Sequence, residues 1–170
     1  EMNDNKLNRI YVDHYPHSLG LFYSTVTDFL GFNVNEGEFK VMGLSGYGKP
    51  IYKKFILENI IEWKNNKIRL NMDWFDFDKN PEKSYSEKFS KYFGKKNKLF
   101  NLSEIHSNNF QRAANIACSF QETLEFILLE VTKWAINTTG INNVFFSGGV
   151  SHNSKAMSKI ADLNEVKKIT

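Results

Sequence analysis

One apolar stripe constrains this chain more than any other feature. Ala113, Ile116, Ala117, Phe120, Leu124, Ile127, Leu128, Val131, Trp134 and Ala135 recur at three- and four-residue steps. That spacing predicts one long helix over 109–138 with a broad buried face. Gly140 supplies its stop. A strand is expected over 143–147, and it runs into Gly148 and Gly149 before a last helix over 153–163. Helix, strand, glycine turn and helix in this order predict an α/β fold, and no internal repeat interrupts it.

The rest of the chain is consistent with one packed unit. It has 170 residues, 41% of them hydrophobic and 15% aromatic, enough for a substantial core. The net charge of +3 comes from 22 basic and 19 acidic residues, a balance that gives no argument for nucleic acid or a membrane surface. The single cysteine, Cys118, excludes an internal disulfide and a cysteine-based zinc site. It sits beside the long helix's apolar stripe and reads as a buried, inert thiol in a reducing, cytoplasmic setting. No apolar run reaches membrane-spanning length. The opening "EMNDNKLNRIYVDHY" lacks a signal-peptide core, and the end "LNEVKKIT" stops just after a helix. An excised piece of a longer protein is therefore expected.

Leu19, Phe22, Tyr23, Val26, Phe29 and Leu30 predict a helix over 17–30, capped by His17 or Ser18 and stopped at Gly31. Residues 35–50 carry four of the ten glycines and one of the three prolines, so an ordered loop, or a loop around a short strand, is expected there. A helix over 50–63, opened by Pro50, buries Phe55, Ile56, Ile60 and Trp63. Alternation of Ile68, Leu70 and Met72 predicts a half-buried strand over 67–77. Residues 78–107 read as a lysine-rich surface excursion with a short helix at 85–93.

Several short patterns invite chemistry. Gly148 and Gly149 at a strand-to-helix turn let a ligand approach the backbone, and the following helix N-terminus suits phosphate or a nucleotide edge. Asn153 either caps that helix or bonds the ligand. A tight turn without ligand is the alternative. Gly43 to Pro50, G-L-S-G-Y-G-K-P, follows the phosphate-loop pattern up to its last position, where Pro50 lacks the hydroxyl that would hold Mg²⁺. Lys40 and Lys49 are candidates for an anion or for plain surface charge. His14 and His17 flank Pro16, so no helix presents both to one metal. Asp73, Asp76 and Asp78 lack the glycine and glutamate of a calcium loop. Lys91, Lys95, Lys96 and Lys98 with Tyr92, Phe93 and Phe100 could suit a single strand of nucleic acid, against a solvated loop with buried rings.

Two stretches together carry a family resemblance. "PHSLGLFYSTVTDFLGF" followed by "NEGEFKVMGLSGYGKP" resembles the signature of O-carbamoyltransferases of the nodulation-protein-U and cephamycin/tobramycin type. "FFSGGVSHNS" resembles the same family's Gly-Gly-Val-x-x-Asn segment, and the order and spacing agree. The Glu38-to-Gly48 core is the specific part. The glycine pattern is shared with tRNA threonylcarbamoyladenosine synthases and hydrogenase-maturation carbamoyltransferases.

The resemblance implies an actin/sugar-kinase/Hsp70-like domain with a ribonuclease-H-like core, of which residues 1–170 are a single α/β segment. It implies that a second domain, absent here, makes carbamoyl-adenylate from carbamoyl phosphate and ATP. The kinase-like domain then passes the carbamoyl group to a hydroxyl of a glycan or small-molecule acceptor. By that likeness Gly148, Gly149, Val150 and Asn153 lie against the adenylate, together with Gly43, Gly46 and Gly48. Glu38 and Tyr47 bind substrate, and Lys40 is catalytic, stabilising charge on phosphate or the tetrahedral intermediate. Iron is implied for the parent protein with ligands outside this chain, so no metal ligand is assigned. The roles of His14, His17 and His152 stay open, as do a homodimer and the acceptor. Lysine- and asparagine-rich wording suggests a bacterial source. The rival readings are a non-catalytic nucleotide-binding module, a sugar kinase, or threonylcarbamoyl transfer to tRNA, against which the Glu38-to-Leu44 stretch argues. The segment alone is expected not to complete the reaction.

Overall fold

The computed structural model describes residues 2–3, 6–80, 82–97 and 107–170. Two residues in each of two strands, β1 (Met2–Asn3) and β2 (Lys6–Leu7), pair antiparallel at the start. Helix α1 (Leu19–Phe29) follows, with Ser18 accepting a hydrogen bond from the Leu21 N–H. Of the two candidate caps, the serine is thus the one used. Phe22, Val26 and Phe29 are fully buried on its inner face.

Residues 35–50 are not a loop. Glu38–Leu44 form helix α2, and Ser45–Tyr47 continue it as a 3-10 turn. Gly37 is the cap of α2 and Gly46 and Gly48 lie beyond it, so the glycines bracket the helix and only Gly43 sits inside. Helix α3 spans Lys53–Asn59, shorter than expected. The chain then turns into strand β3 (Ile61–Lys64), which pairs antiparallel with β4 (Lys67–Leu70). Asn65 and Asn66 make the two-residue turn, with φ of 52° and 58°. Both therefore occupy the left-handed region that this hairpin demands and that asparagine tolerates. The strand stops at Leu70, because Met72–Trp74 form a 3-10 turn capped by the Asn71 side chain.

Helix α4 (Glu87–Phe93) is part of the core rather than a surface excursion. Phe89 and Phe93 are buried against Phe29 and Phe120, with ring centroids 4.9 and 5.7 Å from those partners respectively. Tyr92 stacks on Phe55 at 3.9 Å, and Lys96 pairs with Asp28. These rings and this lysine are thus used inside the fold. Lys98 and Phe100 lie outside the described residues.

Helix α5 (Asn108–Thr139) is the long helix, capped by Ser107 and ended by Gly140 at φ 71°. The other helices pack on it, α4 through Phe89 and Phe93 against Phe120 and through the Phe93 carbonyl, which accepts from Arg112. Strand β5 is only Asn143–Val144, paired in parallel with β6 (Lys168–Ile169). It is not the buried strand expected, since Phe145 is 73% exposed. The chain turns at Gly148, makes a 3-10 turn over Gly149–His152, and enters helix α6 (Ser154–Ala161). The whole is mixed α/β, mostly helical, with three two-stranded sheets among the described residues. No described helix is long and apolar enough to cross a membrane.

Candidate functional site: a cleft between α1, α2 and the glycine turn

A cleft of about 720 Å³ opens where three segments meet over α5. Ser18, Leu21, Tyr23 and Ser24 of α1 form one wall, and Glu38, Phe39 and Met42 of α2 a second. Ser147 to Val150, with His152 and Asn153, form the third, and Leu124 of α5 lies at the base. The cleft therefore joins Glu38 to the glycine pair across more than a hundred residues of sequence. A smaller cleft of about 250 Å³ between α3 and the β3–β4 hairpin contains none of the sequence-derived candidates. Its Glu58 and Arg69 are engaged by Lys54 and Asp13.

The two glycines have different reasons. Gly148 has φ 98° and ψ 174°, a conformation closed to residues with a side chain. Gly149 has ordinary backbone angles. Around both, no described atom lies within 4 Å of where a Cβ would stand, so the turn faces open space in the cleft wall. The pair is not needed for packing.

Glu38 is held from two sides. Its Oε1 accepts from the Ser24 hydroxyl and the Asn35 N–H, each at 3.0 Å. Among the described residues Oε2 has no hydrogen-bond partner, so the fixed carboxylate keeps one oxygen for a donor in the cleft. Asn153 is buried and caps α6, its Oδ1 accepting from the Ala156 N–H at 3.1 Å. It also bonds to Gln121 twice, side chain to side chain. Beneath the turn, Tyr23 donates to Gln121 Oε1 at 2.6 Å, and Gln121 donates to Glu125, which pairs with Lys159. Burial pushes the Tyr23 phenol well above its usual range, so it acts as a fixed donor.

Other candidates stand elsewhere. Lys40 is exposed on α2 with its Nζ over the Phe39 ring, outside the cleft lining. Gly43 and Gly46 are exposed, with open space where a Cβ would go. Gly48 packs its backbone on α5. Tyr47 is 64% exposed, its ring edge-on to Phe110. Lys49 gives its backbone N–H to Asn115. The phosphate-loop-like stretch is thus the end of α2 and the turn after it. His17 Nδ1 accepts the Leu70 N–H, which ties down that histidine. Among the described residues no three His, Cys, Asp or Glu side chains could hold a metal ion, so these residues do not fit an iron centre. His152 is exposed and lines the cleft.

Gln121, Glu125 and Tyr23 were not singled out from sequence as functional. The signal was present: Gln121 and Glu125 fall on the apolar face of α5, one turn apart, where polar residues need a partner.

Comparison with known proteins gives this geometry its relatives. The family described as "Carbamoyltransferase N-terminus" matches residues 2–169. An uncharacterized protein of Synechocystis sp. is 34% identical over 97% of the chain and 26% of its own length. An uncharacterized protein of Methanocaldococcus jannaschii is 31% identical over 94% of the chain and 28% of its own length. The nodulation protein NolNO of Sinorhizobium fredii is 28% identical over 84% of the chain and 18% of its own length. The chain thus spans between 18% and 28% of the length of these relatives. With the match running almost from end to end, it belongs to the carbamoyltransferase N-terminal family.

Proposed function

We propose that this chain is the part of a carbamoyltransferase that holds carbamoyl-adenylate against an acceptor hydroxyl. The observation that carries the reading is the cleft itself, with a glycine turn open to solvent on one wall and a fixed carboxylate on another. The turn admits a nucleotide to backbone distance, because neither Gly148 nor Gly149 puts a Cβ in its way. The N–H groups that open the following 3-10 turn have no partner within it and suit the adenylate phosphate. Glu38 Oε2 is the acceptor we assign to a substrate hydroxyl.

In the reaction the acceptor oxygen bonds to the carbamoyl carbon, and the carbon–oxygen bond to the phosphate breaks. AMP leaves with the electrons of the broken bond, and the hydroxyl's proton passes to the Glu38 carboxylate that accepts its hydrogen bond and from there to water. Lys40 would have to leave the Phe39 ring to reach the cleft, so the reading rests on Glu38 and the glycine turn. The overall fold we assign is the actin/sugar-kinase/Hsp70-like one. Carbamoyl phosphate and ATP are consumed by a separate adenylate-forming domain of the full-length protein, in the cytoplasm. The acceptor we assign is a hydroxyl of a glycan or a small metabolite.

The test uses the full-length protein with ATP, carbamoyl phosphate and ferrous iron. Pyrophosphate release that requires carbamoyl phosphate, with AMP binding lost in Gly149→Val, is the expected result. Release without carbamoyl phosphate, or AMP binding indifferent to Gly149→Val, overturns the reading.

A further inference from the structure

Gln121 does not itself line the cleft, yet two lining residues, Tyr23 and Asn153, hang on it. Its side chain is wholly buried in the middle of α5 and has all its principal hydrogen-bonding capacity in use. Oε1 accepts from Tyr23 at 2.6 Å and from Asn153 Nδ2 at 2.9 Å. Nε2 donates to Glu125 Oε1 at 2.7 Å and to Asn153 Oδ1 at 2.8 Å. Tyr23 belongs to the α1 wall. Asn153 belongs to the opposite wall, where its N–H bonds the Val150 carbonyl at 3.0 Å and its side chain caps α6. One amide therefore links α1, the glycine turn and α6 through their polar atoms.

The amide's orientation is fixed from below. Glu125 is 2% exposed and its other oxygen is held by Lys159, so it accepts only, and Nε2 must face it. That leaves Oε1 for the Tyr23 hydroxyl. Reversing the amide would set oxygen against carboxylate and leave the buried phenol without an acceptor.

We infer that Gln121 is a positioning residue that sets the spacing between the α1 wall and the glycine turn, and so the cleft's fit to its nucleotide. The inference rests on the nucleotide reading above. A polar clamp suits this task better than apolar packing, since each bond fixes a direction as well as a distance. A displacement of the turn on the ångström scale is enough to spoil a bound geometry.

The experiment measures AMP binding by calorimetry and the melting temperature of the full-length protein, with Gln121→Met and Tyr23→Phe as variants. Gln121→Met keeps the length and removes the clamp; Tyr23→Phe keeps the ring and removes one arm. Both are expected to weaken AMP binding, by about tenfold or more for Gln121→Met and less for Tyr23→Phe, at temperatures where each is folded. The Tyr23→Phe effect is expected to vanish in the Gln121→Met background, because both act through one amide. A purely structural role would lower the melting temperature and leave AMP affinity within about twofold in both variants, which overturns the inference. If Gln121→Met does not fold, unchanged affinity in Tyr23→Phe alone overturns it. No AMP binding by the unsubstituted protein overturns the nucleotide reading, and the inference falls with it.

Discussion

The backbone of Gly48 lies so close to α5 that a Cβ on it would stand 2.0 Å from the Ala114 carbonyl oxygen. The Lys49 N–H bonds Asn115 at 2.8 Å and the Tyr52 N–H bonds Ser119 at 3.0 Å, which clamp the same stretch to α5. Gly48 is thus a packing glycine. Gly48→Ala is expected to cost about 1–3 kcal/mol or more, because helix backbone cannot yield as a side chain can. Gly43→Ala should have the opposite sign. It lies inside α2 with open space around it, so alanine is expected to stabilise the protein by up to about 1 kcal/mol. Urea denaturation of both variants checks the pair, and equal signs would contradict this account.

The glycine turn separates stability from binding in the same way. Gly148→Ala forces an alanine into a backbone region at φ 98°, at a cost of about 1–3 kcal/mol. Gly149→Ala meets no neighbour and is expected to change stability by less than about 0.5 kcal/mol. Its methyl group would occupy the face offered to the nucleotide, so AMP affinity should fall about tenfold, equivalent to about 1.4 kcal/mol. Melting temperature and calorimetric affinity for both variants decide it.

The sequence revealed long, periodic features and hid short ones held by distant partners. The α5 stripe, the α1 face and the Gly140 stop were legible because period and stop signal agreed. Helix α2 was hidden because glycine density averages over a helix and its two flanks, whereas Gly37 and Gly48 stand at its edges for contact reasons. The β3–β4 hairpin was written in Asn65 and Asn66, adjacent residues suited to a left-handed turn, but the apolar run Phe55 to Trp63 read through as helix. At the site, Asn153 and the glycine pair were candidates from local pattern, and Glu38 came only from the family resemblance. Gln121 came from neither, since its role appears only when Tyr23 and Asn153 arrive from positions 98 residues before it and 32 after it.

Asp28 gives the fold an acid sensitivity. Burial alone would raise its carboxyl, but the Lys96 ammonium at 2.6 Å and the Ser84 hydroxyl and N–H more than offset that and hold it below the usual carboxylate range. A carboxyl lower in the folded than in the unfolded protein contributes stability above the unfolded value, and that stability is lost as pH falls through the folded one. Stability should therefore decline below about pH 4. Asp28→Asn is expected to be less stable near neutrality and to show a flatter acid limb. Urea midpoints measured across that range would refute the assignment if both proteins declined in parallel.

The Glu125–Lys159 pair supports the clamp from underneath. Glu125 is 2% exposed while the Lys159 side chain is 51% exposed, so the carboxylate carries most of the desolvation and the ammonium little. The hydrogen bond to Glu125 raises the Lys159 ammonium above its usual value, as expected of a partner to a buried anion. Lys159→Met leaves that anion with Gln121 Nε2 as its remaining donor among the described residues and is expected to cost about 1–3 kcal/mol, discounted from the full buried-pair range because the ammonium stays half in water. Adding Glu125→Gln removes the orphaned charge and keeps an oxygen for Gln121, so the double variant should recover most of the loss. Denaturation of the two single variants and the double variant measures the coupling. Additive losses would mean that Lys159 acts through the surface and not through Glu125, and would leave the orientation of the Gln121 amide to Tyr23 and Asn153 alone.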